Sequence, residues 1–137
     1  MMKYLGLAAF LSVSVAGAAL GLAQISGPTL LETLERGLWQ FRAVGGGPTG
    51  AAVDRLCVDD LKKLAQIQHN RMKCTQKVLR SNAATVQIFY SCPGEGQGLT
   101  TIRKESNRLI HIDSQGVRNN SPFSFTVEAR RSGSCNR

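Results

Sequence analysis

The stretch FSFTVEAR, residues 123–130, decides the fold, because apolar and polar residues alternate along it without a break. Successive side chains of a β-strand point to opposite faces of a sheet, so strict alternation predicts a strand with one buried face and one solvent face. The predicted core face consists of Phe123, Phe125, Val127 and Ala129, and the predicted solvent face consists of Ser124, Thr126, Glu128 and Arg130.

The same period of two extends back along the chain to Cys74 and predicts a series of strands. Sequences rich in Ser, Asn, Gly and Pro lie between the alternating runs and are typical of turns. Short strands joined by such turns favour a mostly antiparallel β meander with one face buried. The runs cover residues 85–92, 99–104 and 109–114, and the turn sequences cover residues 80–83, 91–98, 105–108 and 115–122.

Two segments before Cys74 have helical periodicity instead. The longer segment, residues 57–73, begins with acidic residues and ends with basic residues, which suits the helix dipole. The shorter segment, residues 29–37, precedes a first strand at residues 39–42. The predicted fold class is therefore α+β, a mostly antiparallel β meander with one covering helix and a short N-terminal helix. The helical stripes are Leu61, Leu64, Ala65 and Gln68 in the longer segment, and Leu30, Leu31, Leu34 and Leu38 in the shorter one.

The first 23 residues have the layout of an export signal peptide. Lys3 provides the positive end, an apolar run follows, and small residues at Gly21 and Ala23 suit cleavage before Gln24. We therefore expect a signal peptide at residues 1–23 and a single domain at residues 24–137, located in the periplasm or secreted. The alternative is an uncleaved signal that anchors the protein to the inner membrane, since the apolar run is close to the ~20 residues that span a bilayer.

The four cysteines all follow the predicted signal peptide, and an even count in a small exported domain predicts two disulfides. Closely spaced Cys or His pairs, which zinc sites use, are missing from the sequence, so we expect neither a metal nor a cofactor. Sequence leaves three pairings possible. If the strands run alternately up and down, Cys57–Cys135 and Cys74–Cys92 are the pairs that come close together.

The stretch SCPGEGQG, residues 91–98, resembles a phosphate-binding loop only superficially. A phosphate loop needs a helix after it, whereas the residues from Leu99 onward alternate as in a strand. Pro93 and Gly94 form a common turn pair, and the later glycines can adopt positive φ in a bulge or tight bend. We therefore predict a turn between two strands.

We expect no enzymatic activity, because no motif in the chain has the context that catalysis requires. His111 and Asp113 lie on one face of a predicted strand and could form an acid–base pair. The same two residues are explained equally well as the solvent face of that strand. A small hydrolase built on them is the least favoured function.

The formal net charge of +8 favours an anionic partner. Nucleic-acid binding would require exposed aromatic residues among the basic ones, and the aromatic residues lie at predicted core positions, so we expect no nucleic acid. An anionic envelope glycolipid or acidic polymer fits an exported protein better. The candidate anion-binding residues are Arg71, Lys73, Lys77, Arg103, Lys104, Arg108, Arg130 and Arg131.

Several stretches resemble a group of small exported proteins of Gram-negative bacteria, domain-of-unknown-function family 3617. The resemblance lies in Gly-Leu-Trp at residues 37–39, Cys57 before an acidic segment, YSCPGEGQG at residues 90–98, IDSQG at residues 112–116 and PFSFTVEARRSGSC at residues 122–135. It implies export and crosslinking and implies no activity. The favoured hypothesis is a non-enzymatic envelope protein with a binding or structural role, and the alternative is a binder of anionic glycolipid or polymer.

Overall fold

The computed structural model describes residues 29–136, which form one seven-stranded antiparallel sheet with the strand order β2-β1-β7-β6-β5-β4-β3. Each of the strands β3 to β6 pairs with the next strand along the chain, and β1 lies between β7 and β2. The strands are β1 (Gly37–Ala43), β2 (Arg55–Val58), β3 (Thr75–Ser81), β4 (Thr85–Cys92), β5 (Gly96–Ser106), β6 (Leu109–Arg118) and β7 (Ser121–Gly133).

Residues 123–130 lie in a strand with one buried face and one solvent face, as their alternation predicted. Phe125, Val127 and Ala129 are buried, Phe123 is partly buried, and the intervening residues face away from the core. Neighbouring strands place Ile112 opposite Val127 and Ile102 opposite Ile112, so apolar rows run across the sheet. These rows form the core face of the sheet, and the opposite face is open to solvent.

The α+β prediction is wrong, because the described residues form an all-β structure with three short 3₁₀-helices. These helices are η1 (Leu30–Thr33), η2 (Leu61–Ala65) and η3 (Ile67–His69), and the longest has five residues. The predicted covering helix at residues 57–73 is replaced by the end of β2, η2, η3 and the turns around them. This segment still covers the core face, but as an irregular layer.

Burial explains why residues 57–73 do not form an α-helix. Leu64, Ala65, Gln66 and Ile67 are four consecutive buried residues, and a single helix packed on one side cannot bury four in a row. The Gln66 side-chain amide donates to the backbone carbonyls of His69 (3.0 Å) and Met72 (2.9 Å), which fixes a turn in place of helical hydrogen bonds. Tertiary contacts therefore override the local periodicity.

The predicted N-terminal helix at residues 29–37 is also wrong in extent. It is reduced to η1, after which Leu34 adopts an extended backbone conformation. Gly37, the predicted helix stop, instead begins β1 with φ +143°, and a Cβ there would lie 2.4 Å from the Gly133 carbonyl oxygen. Leu30, Leu31 and Leu34 still pack into the core, whereas Leu38 belongs to β1.

Both predicted disulfides are present. Cys57 is bonded to Cys135 with Cα atoms 5.5 Å apart, and Cys74 is bonded to Cys92 with Cα atoms 4.3 Å apart. This is the pairing that alternating strand directions favour. The predicted signal peptide at residues 1–23 lies outside the described residues. Among residues 29–136, no helix is long and apolar enough to cross a membrane.

Candidate functional site

The glycine-rich stretch after Tyr90 contains the predicted turn between β4 and β5, but the turn is limited to residues 93–95, and the rest of the stretch belongs to the two strands. Gly94 has φ +78° in the turn, and Gly96 already belongs to β5 with φ +135°. A Cβ on Gly96 would lie 1.9 Å from the Val117 carbonyl oxygen, so the glycine permits close approach of two strands. The residues that follow continue as strand, which leaves no helix N-terminus for a phosphate.

A further glycine, Gly98, makes room for the ring of Tyr90. Gly98 and Gly116 lie opposite each other on β5 and β6, and Gly98 also lies opposite Tyr90 of β4. A Cβ on Gly98 would come within 2.5 Å of the Tyr90 ring and hydroxyl. Gly98 therefore allows a fully buried tyrosine to lie across this end of the sheet, whereas Gly116 allows β5 to approach closely, since a Cβ on it would lie 2.1 Å from the Gln97 carbonyl oxygen.

His69 of η3 packs against Tyr90 from the covering layer. Its side chain is 1% exposed, and its ring meets those of Tyr90 and Phe123 edge-on at centroid distances of 5.5 and 6.1 Å. His69 Nδ1 and Tyr90 Oη form a hydrogen bond of 3.1 Å. Either tautomer satisfies this bond: when Tyr90 donates, Nε2 of His69 carries the hydrogen, and when Nδ1 donates, Nε2 is an acceptor.

Burial sets the ionisation of both groups. It lowers the pKa of His69, an effect that Arg118 reinforces and that the nearby backbone and carboxylate of Glu95 oppose. Burial also raises the pKa of Tyr90 to about 12, against smaller opposing effects of Ser114 and Arg118. At neutral pH the site therefore contains a neutral imidazole beside a protonated phenol.

A short polar network continues from this site into the core. The Thr100 hydroxyl donates to the Ala65 carbonyl oxygen at 2.6 Å, and the Ser114 and Thr100 hydroxyls are 2.8 Å apart. Because Thr100 uses its single hydrogen on Ala65, Ser114 donates to Thr100. This network ties the covering layer to the centre of the sheet.

A cavity of about 240 Å³ opens beside His69, between residues 68–72, residues 52–53 and Arg118. We call it the His69 cavity. Among the described residues, three buried side-chain atoms have no hydrogen-bond partner, and all three belong to residues that line it. Buried polar atoms are normally paired, but these three atoms are closed off from solvent themselves, so they do not open into the cavity that their residues line. The atoms are Gln68 Oε1, His69 Nε2 and Arg118 Nε.

A second feature is a groove of about 680 Å³ between the two edge strands, β2 and β3. Its walls include Cys57 on the β2 side and Cys74 on the β3 side, so each wall carries one end of a disulfide. The lining contains a single carboxylate, Asp60. We call this the basic groove after the four cationic residues that line it, which are Lys62, Lys63, Arg71 and Lys73.

Three of the eight predicted anion-binding residues lie at or near the basic groove. Arg71 and Lys73 line it, and Lys77 is on the adjoining edge strand β3. Across residues 29–136, none of these three forms a salt bridge. Lys62 and Lys63 also line the groove and are absent from the sequence-based set, because the predicted helix made them ordinary surface residues.

The other five predicted residues lie elsewhere, so the eight do not form one surface. Arg108 and Arg131 flank Glu35 at 3.4 and 3.7 Å. Lys104 donates to Thr33 Oγ1 at 2.8 Å, Arg130 lies 3.4 Å from a Glu128 carboxylate oxygen, and Arg103 is exposed on the solvent face of β5.

The candidate acid–base residues do not pair with each other. His111 Nε2 is 2.6 Å from a Glu105 carboxylate oxygen, and Asp113 accepts a hydrogen bond of 2.6 Å from Thr126. Both lie on the solvent face of β6. Within the described part of the chain, no group of three or more His, Cys, Asp or Glu side chains is placed to hold a metal ion.

Comparisons with family models, curated proteins and solved structures found no match to this chain. The resemblance to domain-of-unknown-function family 3617 therefore stays a prediction. The site around His69, Tyr90 and Arg118 was missed in the sequence. The available signal was the alternating spacing of Gly96 and Gly98 a few residues after Tyr90, an aromatic residue on an apolar strand face.

Proposed function

We propose that the protein is a non-enzymatic exported domain that binds an anionic envelope partner in the basic groove. The partner is a polymer or glycolipid that carries phosphate, sulfate or carboxylate groups. The observation that supports this most is the charge of the groove lining, with four cationic residues and one carboxylate, Asp60. Two disulfides suit an exported location, since such bonds persist in oxidising compartments.

The ion pairs support the same function. Lys63 is 2.6 Å from Asp59 and is neutralised locally, whereas Lys62, Arg71 and Lys73 form no salt bridge among the described residues. Several cationic side chains close together attract an anionic group within about one Debye length of them, which is roughly 8 Å at physiological ionic strength. The groove therefore concentrates unpaired positive charge where an extended polyanion can lie.

Rigidity is the second support. Cys57 and Cys74 lie in opposite walls, and their bridges lead to Cys135 and Cys92. The Gln76 side chain of β3 donates to the Lys62 carbonyl oxygen at 2.9 Å, and this hydrogen bond connects β3 to η2 within the groove. A preformed groove loses less conformational entropy on binding than a flexible one.

The test is binding of the oxidised protein to a sulfated polysaccharide and to vesicles containing anionic phospholipid, at low and high salt. We expect saturable binding to at least one probe that weakens as salt rises, because the attraction is electrostatic. The double variant Lys62→Gln/Lys73→Gln should weaken it by roughly tenfold, equivalent to about 1.4 kcal/mol.

A matched control removes the same charge elsewhere. Arg42 and Arg103 are exposed on the solvent face of the sheet and form no salt bridge within residues 29–136. Arg42→Gln/Arg103→Gln should therefore retain most of the binding. Equal losses in the two double variants would show that net charge alone is responsible, and absence of binding to both probes would contradict the proposal.

A further inference from the structure

The free edge of β3 is a surface that the basic-groove proposal does not use. β3 is the last strand in the order of the sheet, so one side of its backbone has no neighbouring strand among residues 29–136. The start of β3 is covered, because the Gln76 amide donates to the Lys62 carbonyl oxygen at 2.9 Å and to Gln66 Oε1 at 2.8 Å. The residues that follow, 77–81, are all exposed. Unpaired N–H and C=O groups on an edge strand are a template for a further strand.

Apolar side chains accompany this free backbone. Val78 is 46% exposed and Leu79 is 47% exposed, and they are two of the four exposed large apolar side chains in the described part of the chain. β3 contains no proline, so each of its residues keeps an N–H group. The other edge strand, β2, has only four residues, and Cys57 bonds it to the segment after β7. The edge of β3 is therefore the one suited to strand addition.

A β-bulge places both cations of β3 on one face of the sheet. Lys77 lies opposite Phe89 and Arg80 lies opposite Gln87, and the pairing skips Leu79. Both partners lie on the solvent face of β4, where they alternate with buried residues. Residues three apart in a regular strand point to opposite faces, whereas the bulge directs Lys77 and Arg80 to the same face.

The charges decide which kind of strand fits. Neither Lys77 nor Arg80 forms a salt bridge within the described residues, and β3 and β4 contain no carboxylate. A second copy of this chain would bring these cations of two molecules onto adjacent strands, where like charges are destabilising. An acidic strand would place carboxylates beside the two cations instead. Val78, which lies opposite the buried Ile88, offers an apolar contact on the other face.

We propose that β3 binds an extended acidic peptide segment of another protein as an additional strand, in which carboxylate and apolar side chains alternate. The carboxylates lie beside Lys77 and Arg80, and the apolar side chains lie beside Val78. Main-chain hydrogen bonds to residues 77–81 supply affinity, and the alternating side chains supply specificity. The surface and the class of partner both differ from those proposed for the basic groove.

The experiment uses a capped peptide of seven residues, the length of β3, in which Val and Glu alternate. The oxidised protein is titrated with this peptide, and NMR follows the exchange of backbone amide hydrogens with solvent. The peptide should bind saturably and slow the exchange of amides within residues 77–81, because these amides become hydrogen-bonded to it. Binding without this protection, or no binding, would overturn the proposal.

Control peptides separate strand addition from attraction by charge alone. A peptide of the same composition with its Glu residues consecutive keeps the net charge and loses the alternation, so it should bind at least roughly tenfold more weakly. Equal binding of the two peptides would contradict the proposal. Self-association of the protein alone that protects the same amides would identify a second copy as the occupant, which also contradicts it.

Variants assign the contacts. Lys77→Gln/Arg80→Gln should weaken binding of the alternating peptide by at least roughly tenfold, and both residues are exposed, so the fold should be retained. The matched control is Arg42→Gln/Arg55→Gln, which removes the same charge from exposed residues of β1 and β2, towards the opposite edge of the sheet. This control should retain binding, and equal losses in the two double variants would contradict the assignment.

The two proposals fail independently. Lys62→Gln/Lys73→Gln removes two cations of the basic groove and leaves residues 77–81 unchanged. This variant should lose polyanion binding and keep the protection of β3 amides by the peptide. Peptide binding that disappears in it and persists in Lys77→Gln/Arg80→Gln would place the carboxylates in the basic groove and contradict the assignment to β3.

Discussion

The two ends of the core face of this sheet are built differently. At one end, rows of apolar side chains cross β5, β6 and β7, and Ile102, Ile110 and Ile112 are completely buried. At the other end the corresponding row contains Tyr90, Gly98 and Gly116, and the neighbouring row contains Thr100 and Ser114. We call these the apolar end and the polar end.

The difference separates positions whose residue types are explained by core packing from positions whose residue types are not. The apolar end follows the rules for a stable core, because its side chains are apolar and β-branched residues predominate. The polar end departs from these rules with a buried His69, glycines inside strands and unpartnered polar atoms. Proteins commonly depart from packing rules where a requirement other than core stability acts, so this end is where variants should separate the two.

Each end is also crosslinked. Cys57–Cys135 joins β2 to the segment after β7, beyond the apolar end. Cys74–Cys92 joins the residue before β3 to the last residue of β4, at the polar end. The polar end therefore keeps its backbone fixed although its packing is less apolar.

The largest effect is expected at the apolar end. Trp39 is fully buried, and its indole Nε1–H donates to the Glu35 carbonyl oxygen at 3.0 Å. Trp39→Ala should lower the free energy of unfolding by about 3–5 kcal/mol, because it leaves a large cavity and an unpaired carbonyl. Denaturant unfolding with the disulfides intact measures this.

The matched change at the polar end is Tyr90→Phe, which deletes one buried hydroxyl and keeps the ring. It should lower the free energy of unfolding by about 1 kcal/mol through loss of the hydrogen bond to His69. If Tyr90→Phe were as destabilising as Trp39→Ala, the polar end would be a structural core and the distinction between the ends would not hold.

An intermediate effect is expected at the glycine pair. In Gly98→Ala the new Cβ would lie within 2.5 Å of the Tyr90 ring, so the ring must move. We expect a loss of about 1–3 kcal/mol in the free energy of unfolding and a shift of the His69 resonances. Gly133→Ala is the control, since a Cβ there meets no atom within 4 Å, and it should stay within about 0.5 kcal/mol. Equal stability of the two variants would contradict the close packing of Tyr90.

The strands could be predicted because their signal is local. Alternation in residues 85–92 and 123–130 reports directly on a half-buried sheet, and both runs lie within strands. Two predicted strands proved longer than their apolar runs: β5 begins at Gly96 and β6 continues to Arg118. The glycines there were interpreted as turn residues, although within the strands they permit close approach of neighbouring backbones and of the Tyr90 ring.

The covering layer and the site could not be predicted, because both depend on contacts between distant residues. Residues 61–65 have a helical stripe, and only the burial of Gln66 and Ile67 against the sheet shows why the helix does not form. Strand β2 was hidden, because two of its four residues, Cys57 and Val58, overlap the start of the predicted helix. His69 and Tyr90 are 21 residues apart, and their contact depends on the path of that layer.

The smallest expected effect is a pH dependence of the free energy of unfolding that arises at the polar end. Burial lowers the pKa of His69 in the folded protein, while the unfolded chain has the ordinary value of about 6.5. As pH falls below about 6.5, the unfolded state binds the proton first, so the free energy of unfolding decreases until the pH reaches the lower folded pKa. The slope should not exceed about 1.4 kcal/mol per pH unit, the limit for one proton.

His69→Gln should remove this decline below about pH 6.5, because it keeps a polar side chain and deletes the titrating ring. His111→Gln, on the solvent face beside Glu105, should retain it. The charged groups near His69 are Arg118 and Glu95, and their opposing influences leave burial as the main cause of the lowered pKa. A decline that persists in His69→Gln would show that groups other than the buried imidazole of the polar end cause it.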